Sequence, residues 1–357
     1  MKLAIEIGRT ESRSLDAMVE WVQFAERRGV AMAFSSEAWW SDAVTPIAYL
    51  ADKTSAIRLG TGIMQTVART PAMTAMTALT LNDLTGGRFV LGLGASGPQV
   101  VEGLHGVSFK RPLTRLRETV DIVRRVFSGE KVTYEGELFQ LPLPHGEGKS
   151  IRVAHDPVQI PIYLATLGPR SLRYTGAAAD GWLGTSFSPE RADAHLDYIR
   201  TGIDDANRSL SALDLCVSVR VAIGDEVEAM VAARKKGVAF NLGAMGSADT
   251  NFYNDAFKRA GFVDDANAVR ALWMAGDREG AAKRVPDVLV TEFQAIGTAD
   301  MVLERLRRYR DVGITTLKLG LDSATAGPAR YELLEQVVDM VDRLNREPGT
   351  TQGVVAE

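Results

Sequence analysis

The sequence predicts an α/β protein that folds as a (β/α)8 TIM barrel with insertions, and three observations lead to this fold class. The chain has 357 residues, of which 46% are hydrophobic and 24% charged, as in ordinary globular proteins. Short apolar runs alternate with amphipathic helical stretches, a pattern typical of parallel strands joined by crossover helices. Eight such strand–helix units can be counted, and that number favours a closed barrel over an open sheet.

Four strand–helix units fill the first part of the chain. The opening strand at 3–7 is short and apolar and ends at Gly8, and apolar residues between Leu15 and Ala25 then recur at helical spacing. A cationic turn and Gly29 end this first helix. The pattern repeats with strands at 30–35, 57–63 and 88–94 and helices at 44–54 and 72–84.

The second part of the chain continues the alternation with longer connections. Strands are predicted at 160–165, 181–184, 213–223 and 315–320, and helices at 114–127, 170–178, 189–207, 224–236, 298–312 and 331–344. A hairpin at 134–139 with a long loop after it, and short helical stretches at 240–290, interrupt the pattern. We therefore expect one barrel domain at 1–346 with insertions at about 130–158 and 240–290, followed by a flexible tail at 347–357.

Composition excludes several classes of protein. A single cysteine, Cys216, cannot form an intrachain disulfide, and the four histidines lack metal-binding spacing, so we expect no metal site. The net charge of −4 lacks the basic excess of nucleic-acid or anionic-membrane binders. No apolar stretch is long enough for a signal peptide or a membrane span. The expectation is a cytoplasmic protein with a small-molecule substrate and neither nucleic-acid nor membrane partners.

The location of the candidate site follows from the fold class, because chemistry in a (β/α)8 barrel lies at the C-terminal ends of the strands. The loops after the predicted strands are rich in glycine, serine and threonine, and Glu37 is the conspicuous acid–base group among them. Such a scarcity is typical of a site in which a bound cofactor carries the chemistry. Trp39 and Trp40 on the same loop are candidates for a pocket wall, although aromatic residues more often belong to the core.

Two glycine motifs bear on cofactor binding. The segment Leu-Gly-Pro-Arg at 167–170 opens a predicted helix, where free N–H groups, a positive dipole end and an arginine together suit an anion such as a phosphate. The alternative is an ordinary Gly-Pro helix start. The segment Gly-Leu-Gly at 92–94 does not indicate a Rossmann dinucleotide site, because a proline follows Gly97 and no acidic residue ends a strand at the required distance.

Several motifs occur together in an order that one known family shares. They are IRLGTG at 57–62, LTGGRFVLGLG at 84–94, ADGW at 179–182, IGTAD at 296–300 and GIT at 313–315. With these motifs the chain resembles the bacterial luciferase-like flavin and deazaflavin oxidoreductases over nearly its whole length. The segment SGPQVVEG at 96–103 and the proline-rich segment at 141–144 are similar to the actinobacterial branch that uses the deazaflavin coenzyme F420.

The resemblance implies a barrel that holds a tricyclic ring in its mouth. In the deazaflavin branch a bulge after the third strand, often with a cis non-prolyl peptide, backs the ring, and it matches Gly62-Ile63. The phosphate loop of the family matches 165–169, and its hydroxyl partner matches Thr185. Together with the strand ends, this gives a candidate cofactor-binding set of Gly62, Ile63, Ala95, Ser96, Gly97, Ala165, Thr166, Leu167, Gly168, Arg170 and Thr185, and a candidate substrate pocket of Trp39, Trp40 and Gln65.

One departure from the family pattern concerns Glu37. Members that oxidise sugar phosphates or alcohols have an acidic residue followed by histidine after the second strand, and here Ala38 replaces that histidine. Glu37 stays the candidate catalytic residue, as a partner of the deazaflavin ring or as a proton relay. The alternative is that its carboxylate orients Ser35, Ser36 or a backbone amide.

The leading hypothesis is a coenzyme F420-dependent oxidoreductase that transfers a hydride between the deazaflavin and a small organic substrate. Two alternatives keep the fold, namely an FMN-dependent luciferase-like monooxygenase and a non-catalytic flavin-binding barrel. Members of the family are commonly homodimers, so a homodimer is expected here as well.

Overall fold

The computed structural model describes residues 1–8, 14–245, 251–321 and 327–347, so the predicted tail lies outside the described residues apart from Glu347. The strands are β1 (Lys2–Glu6), β2 (Met32–Ser35), β3 (Arg58–Thr61), β4 (Met64–Gln65), β5 (Phe89–Gly94), β6 (Tyr134–Glu135), β7 (Gln140–Leu141), β8 (Ile162–Ala165), β9 (Gly181–Gly184), β10 (Asp214–Ile223), β11 (Ala295–Gly297) and β12 (Thr316–Leu321). The helices are α1 (Leu15–Arg27), α2 (Val44–Leu50), α3 (Pro71–Leu84), α4 (Pro98–Val101), α5 (Pro112–Phe127), α6 (Pro169–Ala178), α7 (Asp193–Asp205), α8 (Val227–Gly243), α9 (Phe252–Arg259), α10 (Val263–Met274), α11 (Arg278–Arg284), α12 (Val288–Thr291), α13 (Ala299–Asp311) and α14 (Pro328–Arg346).

Parallel strands close a barrel, which confirms the predicted fold class. Around the ring the order is β1, β2, β3, β5, β8, β9, β10 and β12, and β12 pairs with β1 again. β4 pairs with β5, and β11 extends the sheet beside the last residues of β10. The predicted hairpin is present as the antiparallel pair β6–β7. Among the described helices, none combines the length and the apolar character that crossing a membrane would require.

The third predicted strand is interrupted. The apolar run at 57–63 forms β3 up to Thr61, and the chain then departs from the sheet before it pairs again as β4. The Gly62–Ile63 peptide bond between the two strands is cis, at the position where the resemblance places a bulge. The hydrophobic pattern alone predicts one continuous strand here, because it carries no information on the peptide isomer.

Tertiary contacts explain where two of the helices, α2 and α8, end differently from the prediction. The helix predicted at 44–54 ends at Leu50, where the guanidinium of Arg88 donates to the carbonyls of Ala51 and Thr54 at 2.9 Å each. α8 continues past its predicted end to Gly243 and packs there against the ring of Trp273. The helix predicted at 189–207 begins with a short 3₁₀ turn that precedes α7.

The barrel interior is layered, because inward-facing side chains alternate along each strand. At the N-terminal end the carboxylate of Asp214 accepts hydrogen bonds from Lys2 at 3.0 Å, Tyr163 at 2.7 Å and Thr316 at 2.8 Å. Burial alone would raise the pKa of Asp214, but these bonds outweigh it and keep the pKa below its ordinary value. The layer above is apolar and contains Ala4, Met32, Phe34, Val90, Leu183 and Cys216. Protein therefore fills the floor of the barrel, and space remains at the C-terminal ends of the strands.

A buried histidine lies outside the barrel wall. His195 on α7 is 1% exposed, it packs between the rings of Trp182 and Phe187, and neither ring nitrogen has a partner among the described residues. Burial, together with the nearby charge of Arg259, lowers the pKa of His195 to about 3. The folded protein thus keeps this ring neutral at pH values where the unfolded chain protonates it.

We predict that His195→Leu removes part of the acid sensitivity of the fold. Below the ordinary histidine pKa of 6.5 the unfolded chain binds a proton that folded His195 cannot bind. The free energy of unfolding therefore decreases as the pH is lowered, by up to about 1.4 kcal/mol per pH unit, until the pH reaches the pKa of folded His195. We expect urea unfolding to show that lowering the pH from 7.5 to 5 costs His195→Leu about 2 kcal/mol less unfolding free energy than it costs the wild type. His145→Leu, at an exposed loop histidine, is the matched control. Equal losses in wild type and His195→Leu would contradict the prediction.

Candidate active site

A cavity of about 1720 Å³ opens at the C-terminal ends of the barrel strands. Its walls come from the loops after the strands, from the start of α5, and from α8 and α9, which lie over the mouth. All the predicted site residues except Gln65 line this cavity: Glu37, Trp39, Trp40, Gly62, Ile63, Ala95, Ser96, Gly97, Ala165, Thr166, Leu167, Gly168, Arg170 and Thr185. The fold therefore gathers into one space a set that the sequence distributes over five loops.

The cis peptide forms part of one wall. The hydroxyl of Ser36 donates to the carbonyl of Gly62 at 3.1 Å, and the backbone N–H of Glu37 donates to the carbonyl of Ile63, also at 3.1 Å. The Ile63 side chain lies over Gly94, where a β-carbon would come within 2.5 Å of Ile63 Cδ1. The end of β2 thus holds the segment after β3 in place, and glycine at 94 leaves room for it.

Glu37 is held by the protein itself. Its side chain is 7% exposed, and Arg69 Nη1 donates to both carboxylate oxygens, at 2.9 and 3.0 Å. The backbone N–H of Gln65 donates to Oε2 at 2.9 Å. This arrangement orients a backbone amide, as the structural alternative for Glu37 predicts, while catalysis by Glu37 stays a prediction.

The prediction for Gln65 needs correction. Its side chain is fully buried, and its amide nitrogen donates to the carbonyls of Glu37 and Ala38 at 3.2 and 3.3 Å. Because β4 pairs with β5, the Gln65 side chain lies behind the cavity wall and not in the cavity. Gln65 therefore supports the loop that carries Glu37 and does not form the substrate pocket.

We predict that Glu37→Gln and Arg69→Gln act alike. Each variant leaves one charge of a largely buried pair without its partner, so each should lose about 2 kcal/mol of unfolding free energy. Urea unfolding measures this loss. If Glu37 instead serves only to move a proton, Glu37→Gln should keep wild-type stability while Arg69→Gln loses it.

Tryptophans stand at the cavity entrance. The rings of Trp39 and Trp40 make an edge-to-face contact with centroids 4.9 Å apart, and Trp39 is 56% exposed. From the other side, α8 and α9 contribute apolar and aromatic side chains that include Phe240, Phe252 and Phe257, and Met245 follows the end of α8. The entrance is therefore bordered by aromatic surface on two sides.

Gly168 begins α6 without a side-chain cap. By contrast, α1, α3 and α13 begin at Ser14, Thr70 and Thr298, whose hydroxyls accept a backbone N–H of the first turn. An uncapped start leaves N–H groups of the first turn without an intrahelical partner. In α6 these groups belong to residues that line the cavity, so the helix start can accept an anion there.

The loop before α6 is fixed from outside the cavity. The indole N–H of Trp182 donates to the carbonyl of Thr166 at 3.0 Å, and Arg259 on α9 donates to the carbonyl of Leu167. α6 also packs closely on α7, where a β-carbon at Gly176 would come within 2.0 Å of the Ile199 carbonyl oxygen. These contacts prearrange the segment that the resemblance assigns to phosphate binding.

Three charged side chains on the barrel strands line the cavity in addition to the predicted residues. Glu6 at the end of β1, Arg220 on β10 and Lys318 on β12 all line it, and Lys318 Nζ lies 3.2 Å from Glu6 Oε1. The sequence carries a signal for Arg220, because leucine and valine alternate along β10 with a second row of residues that faces inward. That row is Asp214, Cys216, Ser218 and Arg220. The rule that site residues lie in the loops after the strands does not reach these residues, because they lie within strands.

A metal centre finds no support within residues 1–8, 14–245, 251–321 and 327–347, where no group of three histidine, cysteine, aspartate or glutamate side chains could hold an ion. The single cysteine is buried in the barrel, and burial raises the pKa of the Cys216 thiol to about 12. A neutral, buried thiol is a poor nucleophile.

Comparisons with known proteins agree with the barrel fold. The family model of the luciferase-like monooxygenases matches residues 3–316. A Mycobacterium tuberculosis protein named as a coenzyme F420-dependent oxidoreductase is 37% identical over 95% of this chain and 98% of its own length. The 5,10-methylenetetrahydromethanopterin reductase of Archaeoglobus fulgidus is 31% identical over 81% of this chain and 83% of its own length. The structure of the coenzyme F420-dependent tetrahydromethanopterin reductase from Methanopyrus kandleri superposes with a TM-score of 0.77 at 23% identity, covering 96% of this chain and 99% of that one, and shows the shared fold.

Proposed function

This chain belongs to the luciferase-like monooxygenase family, and on that premise we propose that it is a coenzyme F420-dependent oxidoreductase that exchanges a hydride with a small organic substrate. The observation that carries the proposal is the cavity at the barrel mouth, with the Gly62–Ile63 segment in one wall and an uncapped helix start in another. The Mycobacterium tuberculosis relative, which is named as a coenzyme F420-dependent oxidoreductase, and the Archaeoglobus fulgidus reductase support the proposal.

The residues that line the cavity fit the cofactor. A flat ring needs a wall to lie against, and the Gly62–Ile63 segment supplies one, with the Ile63 side chain packed over Gly94. A phosphate needs free N–H donors, and the start of α6 at Gly168 supplies them, with Arg170 beside it. When bound, F420 supplies a ring carbon that accepts or gives a hydride.

The protein contributes binding, orientation and exclusion of water. In the proposed enzyme Thr185 and the 165–170 segment hold the phosphate end, and the Gly62–Ile63 segment backs the ring. Arg69 holds the Glu37 carboxylate, which accepts a hydrogen bond from the backbone N–H of Gln65 just after the Gly62–Ile63 segment. These contacts keep the segment in place. Trp39 and Trp40 screen the entrance, so that the ring and the substrate meet in a space with little water.

Calorimetric titration with F420 and, separately, with FMN tests the proposal. We expect F420 to bind stoichiometrically and its absorbance to stay with the protein through gel filtration, while FMN binds more weakly. Retention of FMN with failure to bind F420 would favour the luciferase-like monooxygenase alternative. Binding of neither cofactor would favour a non-catalytic barrel.

We also propose that the protein is a homodimer, with α3 in the interface. α3 carries apolar residues on all sides, and Met73, Met76 and Leu84 on one face are 49%, 44% and 53% exposed. The spacing of these residues places them along one side of a helix. A contiguous exposed apolar surface marks a site of protein–protein contact.

Sedimentation velocity checks the homodimer. The wild type should sediment as a dimer, and Met76→Glu should shift it toward the monomer because a charge then lies in the apolar contact. Met274→Glu, at a methionine of α10 that is 67% exposed, is the matched control and should stay dimeric. A monomeric wild type would contradict the proposal.

A further inference from the structure

Three charged side chains form a polar end of the cavity, which we call the Arg220 cluster and define as Glu6, Arg220 and Lys318. They lie on β1, β10 and β12, which are consecutive strands of the ring. The uncapped helix start follows β8, and the cis peptide follows β3, so both leave the ring at other strands. The cluster thus lies on one side of the cavity mouth, on strands that carry neither of these two cofactor-binding segments.

The strand register explains why the cluster faces the cavity. Ser218 pairs with Lys318, and Arg220 pairs with Gly320, on the adjacent strands β10 and β12. Residues two apart point to the same side of a strand, and Cys216 on that side is already in the barrel core. Because position 320 is glycine, the Arg220 stem lies across it, with Cγ 3.2 Å from where a β-carbon would be.

The charges of the cluster do not balance. Lys318 is 11% exposed and pairs with Glu6, and the positive charge of Lys318 lowers the pKa of Glu6 below its ordinary value. Arg220 makes no hydrogen bond or ion pair with any residue in the described ranges, and its side chain is exposed to the cavity. Within the cluster, as far as the described residues go, two cations and one anion leave one positive charge for a ligand to neutralise. The charge of Arg330 also acts on Glu6, but Arg330 donates to the Glu6 backbone carbonyl and does not line the cavity.

The surroundings of the cluster are mostly apolar. From α9 come Phe252, Tyr253 and Phe257, and Phe293 lies on the segment before β11. Tyr253 lies near Lys318, and burial raises the pKa of Tyr253, so its phenol stays neutral. A ligand that fills this space needs an apolar body and one polar end.

We infer that the Arg220 cluster binds a carboxylate of the substrate, so that the proposed oxidoreductase acts on an organic monoanion with an apolar body. A guanidinium presents two parallel N–H donors that match the two oxygens of a carboxylate. A single unbalanced positive charge matches one negative charge, whereas a phosphate monoester would bring about two. The inference rests on the proposed function for the reaction, but the binding of the anion can be measured without it.

Calorimetry with matched acid and amide probes tests the inference. The probes are the straight-chain acids from butyrate to decanoate and trans-cinnamate, each compared with its primary amide, with F420 present and again without it. We expect at least one acid to bind the wild type about tenfold more tightly than its amide, because a charge-assisted bond to Arg220 is lost in the amide. If no acid in the series binds more tightly than its amide, including the case where nothing binds, the inference is wrong.

Variants separate recognition from a structural role. Arg220→Gln should abolish the preference for the acid, Arg220→Lys should restore part of it, and Glu6→Gln should increase it because the opposing negative charge is gone. A purely structural cluster would instead lose binding in both Arg220→Gln and Glu6→Gln. Arg111→Gln, which removes a cavity arginine paired with Glu137, is the control and should leave the acid-to-amide ratio unchanged.

The two proposals can fail separately. An acid preference that depends on Arg220 in a protein that does not bind F420 would keep the carboxylate site and overturn the proposed reaction. F420 binding without any preference for the acid would support the proposed function and overturn the carboxylate site.

Discussion

Replacing Gly168 by tryptophan should abolish F420 binding while the protein stays folded. Gly168 lines the cavity at the uncapped start of α6, so an indole there would occupy the space in which a phosphate would meet the N–H groups. The protein itself tolerates a side chain at this position, because its φ of −78° suits any residue and a β-carbon would lie 3.6 Å from Ser171 Oγ. We expect at least a hundredfold loss of F420 affinity by calorimetry, about 3 kcal/mol, which corresponds to a phosphate left without its charge-assisted bonds.

Matched variants make the Gly168 result specific. Gly168→Ala should weaken binding far less, because a methyl group in ordinary contact leaves the N–H groups accessible. Gly148→Trp places the same indole on an exposed loop where a β-carbon meets nothing within 4 Å, and should bind F420 as the wild type does. Far-UV circular dichroism should be the same in all three variants. Wild-type F420 affinity in Gly168→Trp would mean that the phosphate lies elsewhere.

The largest effect on stability is expected from Gly92→Ala. A β-carbon at Gly92 would lie 1.9 Å from the carbonyl oxygen of Thr61, a backbone atom that cannot move without breaking the contact of β3 with β5. The Thr61 hydroxyl also accepts from the N–H of Gly92 at 2.9 Å and donates to its carbonyl at 2.8 Å. Both bonds would be distorted. We expect a loss of about 3 kcal/mol or more of unfolding free energy, or little folded protein.

Gly237→Ala is the matched control for that experiment. Gly237 lies within α8, where a β-carbon would have no heavy atom within 4 Å. Alanine favours a helix interior over glycine, so this variant should gain up to about 1 kcal/mol. Urea unfolding of both variants gives the comparison. A Gly92→Ala protein as stable as the wild type would show that the strands can separate there at little cost.

Sequence reasoning located the barrel because strands and helices repeat locally. Each unit leaves its own apolar pattern, and a pattern such as that of β10 is legible without knowledge of its neighbours. What sequence could not give depends on distant contacts. The end of α2 is set by Arg88, which comes from a later part of the chain, and the isomer of the Gly62–Ile63 peptide leaves no mark on hydropathy.

The site was predictable in part for the same reason. Loop residues such as Gly168 and Thr185 could be placed at the mouth from the rule that strand ends converge. Gln65 was misplaced because β4 pairs with β5 and carries it behind the wall. Arg220 and Lys318 were missed because they belong to strands, and inward-facing positions are recognised only when the alternation along a strand is followed to its end.

Loops form one side of the cavity and strands form the other, and this division affects how the substrate specificity of such a barrel can change. The proposed cofactor side consists largely of backbone in loops, whereas the Arg220 cluster consists of side chains on β1, β10 and β12. If the Arg220 cluster recognises the substrate as proposed, a point substitution at 218, 220 or 318 would change what the second region recognises and leave the first region's hydrogen bonds intact. One inherited redox scaffold can therefore serve many substrates through single codon changes, and a small combinatorial library at those three positions is a direct route to new specificities.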